Sequence, residues 1–125
     1  MRIRRALATA AATAALVSGL SAAPAAADTG AAAITCSGWG THTDVDDWDQ
    51  VRGDIPRAYI RSGPYAACEP PRYTLAPTAT VDISCYVRND YGNTWTYVVY
   101  HVEGYIFHGW VFDDNLRYGG SYRAC

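Results

Sequence analysis

From Ala79 to Arg88, apolar and polar residues alternate. Val81, Ile83, Cys85 and Val87 fall on one side, and Asp82, Ser84, Tyr86 and Arg88 on the other. A period of two is that of an extended strand with one face buried. Thr94 to Val102 is apolar or aromatic on both faces and predicts a long strand. Gly104 to Phe112 predicts the next, kinked at Gly109, where a strand can bend at a corner. Ala58–Arg61 and Tyr73–Leu75 read as shorter strands, closed by Ser62-Gly63-Pro64 and Ala76-Pro77. Asn89–Asn93 is a turn by composition, Asp113–Leu116 a tight or 3₁₀ turn, and Ser121–Cys125 closes the chain. No stretch beyond residue 27 shows a helical period. About five short strands in roughly seventy residues predict an all-β domain, a small barrel or sandwich.

The first residues follow another pattern. Arg2, Arg4 and Arg5 precede an uncharged run from Ala6 to Leu20, and then Ser21–Ala27, small residues with an A-x-A ending. A basic start, a short apolar run and a small-residue cleavage site define a secretory signal peptide, here Met1–Ala27 with cleavage before Asp28. The run is Ala-rich and shorter than the roughly 20 residues of a membrane span. The sequence therefore predicts a secreted, extracellular protein with no membrane insertion after cleavage. No lipidation Cys stands at the cleavage point.

Cleavage changes the charge. The whole chain is formally −2, but three of its ten basic residues leave with the signal while all twelve acids stay, which makes Asp28–Cys125 −5. No Lys occurs anywhere. An acidic domain is a poor match for nucleic acid, whose phosphates reward clustered Lys and Arg. At 98 residues it is one domain with a modest core, expected to be a monomer.

All four cysteines (Cys36, Cys68, Cys85, Cys125) remain after cleavage. An even count in a short exported chain predicts two disulfides, and no C-x-x-C pair points to zinc or to thioredoxin-type redox chemistry. Three pairings are open. Cys68 and Cys85 stand symmetrically about Ala76-Pro77, a turn between two extended segments, so the expectation is Cys68–Cys85 across a hairpin and Cys36–Cys125 joining the ends.

The order of the pieces over residues 57–125 resembles a bacterial Src-homology-3-like (SH3-type) domain, in particular the lone secreted versions of actinomycete-type exoproteins. Tyr59-Ile60-Arg61-Ser62-Gly63-Pro64 resembles that family's opening V-R-S-G-P, which enters the long RT-type loop. Ala79–Cys85 resembles its central strand, Gly92–Val98 its G-x-x-W-x-x-V strand, and Gly109–Leu116 its closing G-W-V-x-x-x-x-L. The resemblance implies an SH3-like barrel at 57–125, preceded by an irregular acidic extension at 28–56 that has no counterpart in the family. It also implies a groove between the RT-type loop and the 89–93 turn, where Tyr65, Tyr91, Asn93, Trp95 and Tyr97 would bind ligand. Thr96, Val98 and Tyr100 would then face the core, and Trp95 and Val99 would face out. The ligand class that the resemblance implies is an extended peptide such as cell-wall peptide. A small secreted inhibitor or effector acting on another protein is the alternative.

Composition supports a binding surface of this kind. All sixteen aromatic residues lie after the signal peptide, more than a domain of this size can bury, and exposed aromatic faces bind ligands at low entropic cost. Other chemistry is weakly supplied. Asp44, Asp46, Asp47, Asp49 and Asp54 have the oxygen ligands that calcium takes, but Trp48 breaks the alternating pattern, which leaves a solvated acidic loop. His42, His101 and His108 have no His partner at ligand spacing, and His101 has only Glu103 on its own strand face. With no G-x-S-x-G and every Cys assigned to a disulfide, no nucleophile is apparent. The expectation is a non-enzymatic protein with no cofactor and no metal.

Overall fold

The computed structural model describes residues 34–125. The expected signal peptide and its cleavage point lie outside the described residues. The described chain is all-β, with strands β1 (Asp47–Gln50), β2 (Ala58–Ile60), β3 (Tyr73–Leu75), β4 (Thr80–Arg88), β5 (Thr94–Val102) and β6 (Tyr105–Phe112), then a 3₁₀ turn at Asp113–Asn115. None of its helices is long and apolar enough to cross a membrane. The strands form two open antiparallel sheets, one in the order β1-β4-β5-β6 and the other the β2-β3 pair.

The segment expected to be irregular and acidic contributes a strand. β1 pairs with β4 in the register Asp47↔Ile83 to Gln50↔Thr80. What hid it is Asp49, a carboxylate at the strand's most buried position. Its Oδ1 accepts the backbone N–H groups of Gln50 and Tyr118, and its Oδ2 accepts that of Gly120. A buried carboxylate is tolerated where several donors converge on it.

β5 is buried on both faces from Trp95 to Val99, which is why it shows no polar alternation. Val81, Ile83, Val98 and Val111 pack with Ala58, Ile60 and Leu75 of the small sheet and with Val51 and Leu116. On the opposite face Trp95, Tyr97 and Trp110 form an aromatic layer with Trp39, Val87 and Phe112 around it. Thr96 and Val98 are buried and Tyr100 packs half-buried against the core, but Trp95 and Val99, expected to face out, are also covered. The register of β4 shifts between Ile83 and Tyr86. That irregularity separates residues that strict alternation placed together: Val81 and Ile83 join the core, whereas Val87 joins the aromatic layer.

Gly109 lets the two sheets meet. Arg61 and Trp110 exchange backbone hydrogen bonds, Arg61 N–H to Trp110 O at 2.8 Å and Trp110 N–H to Arg61 O at 2.9 Å. A Cβ on Gly109 would strike Arg61 O and come within 2.9 Å of Ile60 Cγ2. The glycine expected as a bend is thus a point of close backbone approach.

The cysteines pair as Cys36–Cys68 and Cys85–Cys125. The expected Cys68–Cys85 and Cys36–Cys125 bridges are incorrect because no hairpin forms about Ala76-Pro77: β3 pairs with β2, and β4 pairs with β1 and β5. Cys85 instead faces the C-terminal tail, whose Arg123 carbonyl accepts Tyr86 N–H and whose Cys125 N–H donates to Tyr86 O. The bridges span 32 and 40 residues. Closures of that length restrict the unfolded chain by about 4 kcal/mol each. Disulfides of this kind fit an oxidising, extracellular-type compartment.

Candidate functional site

Alternation along β2 sends Ala58 and Ile60 into the core and turns Tyr59 and Arg61 to the other side. There they line a cavity of about 330 Å³, with Ile34, Tyr65, Ala66, Ala67, Asn89, Tyr91, Asn93, Trp95, Phe112 and Asn115. The loop after Arg61 is tightened by Tyr65 N–H to Gly63 O and Cys68 N–H to Tyr65 O. Across from it, Asn89 closes the 89–93 turn, its N–H donating to Asn93 O and its Oδ1 accepting Tyr91 and Asn93 N–H at 3.1 Å each.

The rings stand in fixed mutual geometry. Tyr65 and Tyr91 meet edge to face at 5.9 Å, and Trp95 lies tilted against Phe112 at 5.3 Å. Arg61 stacks its guanidinium over the Tyr59 ring, Cζ lying 4.8 Å from the centroid. Its Nη1 donates to Glu69 Oε1 at 2.7 Å and to Cys68 O at 3.3 Å. The Trp95 indole N–H is buried and has no acceptor among the described residues.

Four of the five residues expected in a groove therefore share this cavity: Tyr65, Tyr91, Asn93 and Trp95. Tyr97 lies apart. It is buried in the aromatic layer, its hydroxyl hydrogen-bonded to His108 Nδ1 and its ring edge-on to Trp110 at 5.0 Å and to His42 at 5.3 Å. Trp39 covers the same layer, meeting Trp110 at 6.4 Å and Tyr65 at 6.1 Å. The N-terminal segment thus lies over Tyr97 and Trp110, and among the described residues it lines the cavity at Ile34. Tyr59, Arg61 and Phe112 were not anticipated as lining residues. The signal for the first two was available in the alternation against Ala58 and Ile60.

The remaining candidates have structural partners. Asp54 pairs with Arg52 at 2.5 Å, and Asp46 with Arg123 at 3.3 Å. His101 lies 3.7 Å from Asp82 on the neighbouring strand, while Glu103, its expected partner, occupies the tight β5–β6 turn. His42 is close to the sulfurs of Cys85 and Cys125, but these are bonded to each other and are not a metal-ligand set.

Buried Asp113 accepts the Thr96 hydroxyl at 2.6 Å. Burial raises its carboxyl above the ordinary range, with a smaller push from the charges of Asp114 and Asp49, and the Thr96 and Thr94 hydroxyls oppose the rise. Thr96 Oγ1 also accepts Ser121 N–H at 2.9 Å, which ties the tail to β5. Asp113 therefore anchors the tail and is not part of the cavity lining.

Compared with protein-family models, curated proteins and solved structures, the chain matches none.

Proposed function

We propose that this protein is a secreted, non-enzymatic binding module of SH3-like type, which takes a short stretch of extended peptide, such as cell-wall peptide, in the cavity between the Ser62–Cys68 loop and the 89–93 turn. The observation that carries the reading is the cavity itself: five aromatic rings (Tyr59, Tyr65, Tyr91, Trp95, Phe112) around about 330 Å³. Mostly apolar walls with a few placed polar groups are the general make-up of ligand sites, and this volume is at their small end. Peptides in an extended or polyproline conformation offer flat apolar faces to such rings.

Retention on purified peptidoglycan tests this. The oxidised protein should be retained, and Tyr91→Ala should weaken retention without lowering Tm, because Tyr91 is 58% exposed. Trp48→Ala, at an exposed ring away from the cavity lining, should change nothing. No retention of the parent protein, or equal loss in both variants, would remove the reading. The inhibitor or effector reading draws on one other feature, the apolar tip of the β5–β6 hairpin, where Tyr105 and Ile106 are 69% and 60% exposed. Chains that act on other proteins commonly present such patches.

A further inference from the structure

Arg61 is the one cation lining the cavity among the described residues, in a chain whose part beyond the signal peptide is strongly acidic. Its side chain is only 10% exposed. A charge so buried is normally paired through several of its donors. Here Nη1 makes both polar contacts, to Glu69 Oε1 and Cys68 O, while Nε and Nη2 have no acceptor among the described residues. Arg61 lines the cavity, so its side chain is reached from there and not from open solvent. The counter-ion is held loosely: Glu69 is 59% exposed and touches the guanidinium through one oxygen.

Building on the cavity as the ligand site, we propose that Arg61 receives a carboxylate of the ligand, and that the preferred ligand is a peptide ending in a free C-terminal carboxylate. A guanidinium matches a carboxylate in a two-point geometry, and the two free nitrogens lie adjacent on one edge of the fork. The Tyr59 ring, 4.8 Å from Cζ, holds the guanidinium against the cavity wall before ligand arrives. The size of the cavity agrees, because a volume at the small end of ligand sites takes a chain end more readily than the middle of a long segment. The ligand carboxylate takes the free Nε/Nη2 edge while Glu69 stays on Nη1, so two negative charges share one cation, and neutralising Glu69 favours binding.

The probe is N-acetyl-alanyl-alanine, in its L,L and D,D forms, against the matching C-terminal amides. Binding to the oxidised protein is followed by the Trp95 indole N–H and Arg61 Nε–H resonances. The expected result is that one acid form binds at least about ten-fold tighter than its amide, that Glu69→Gln tightens the acid several-fold, and that Arg61→Gln removes the acid preference. Should Arg61→Gln fail to fold, Glu69→Gln gives the same information in a folded protein. Acid and amide moving the Trp95 resonance equally would overturn the carboxylate assignment and leave the cavity reading standing. An acid preference unchanged in Glu69→Gln would overturn it too. If neither probe moves Trp95, the assignment to a free chain end is wrong, and peptidoglycan retention then decides the cavity reading separately.

Discussion

The side-chain amide of Asn89 donates to the carbonyl oxygen of Pro64 at 2.8 Å, across 25 residues of sequence, with Asn89 only 5% exposed. One side chain thus closes its own turn through Oδ1 and attaches that turn to the loop carrying Tyr65 through Nδ2. The cavity walls keep their spacing because of this residue. Asn89→Ala removes three hydrogen bonds and leaves the buried Pro64 carbonyl and the half-buried Tyr91 and Asn93 N–H groups without that partner. It should cost about 2–4 kcal/mol and weaken any ligand of the cavity even where the fold survives. Urea unfolding with a binding assay checks both. A loss below about 0.5 kcal/mol would show that the bridge does not hold the loops together.

Asp113 predicts a pH dependence with a definite sign. Its carboxyl is raised in the folded protein, chiefly by burial, so the folded state keeps this proton to a higher pH than the unfolded chain does. Its contribution to stability is present in full below the ordinary carboxylate value and is lost as pH rises through the raised one. In Asp113→Asn this loss disappears. The Tm difference, variant minus parent, should therefore increase as pH goes from about 4 to about 7. A difference that stays flat or decreases would contradict the assignment.

Gly109→Ala should lower stability by at least about 2 kcal/mol, because the new methyl meets the Arg61 carbonyl at the junction of the sheets. Chemical denaturation measures it. A substitution tolerated within about 0.5 kcal/mol would mean that the strands have room to separate there.

Peptide mapping of the unreduced protein should recover Cys36 linked to Cys68 and Cys85 linked to Cys125. A Cys68–Cys85 fragment would contradict the pairing seen here, in which Cys68 is bonded to Cys36 and Cys85 to Cys125. Cys36→Ser/Cys68→Ser should release the Trp39 segment from the aromatic layer while leaving the tail attached at Cys85.

Strands were legible wherever local pattern decided them. β2 to β6 lie close to where alternation and turn residues put them, because Pro64, Pro77 and the Asn89–Asn93 turn interrupt the chain strongly. β1 was hidden because Asp49 at its centre reads as solvated, and only the donors at Tyr118 and Gly120, far along the chain, make it a core residue. Staple pairing was misread for a related reason: symmetry about Ala76-Pro77 is local, whereas β3's choice of β2 is a long-range one. The irregular register of β4, which moves Val87 to the other face, leaves no mark in a pattern of period two. At the cavity, Tyr65, Tyr91, Asn93 and Trp95 were accessible through the two loops that hold them. Tyr97 was misplaced because β5 is apolar on both faces and its neighbour Trp39 comes from outside the strands.

The most direct measurement is a titration of the oxidised protein with soluble cell-wall peptides, observing the four Trp indole N–H resonances. Trp95 should move progressively to saturation, with Trp48 unmoved, and Tyr91→Ala should raise the Kd. A shift at Trp48 with Trp95 unchanged would place the ligand elsewhere on the molecule and contradict the proposed site.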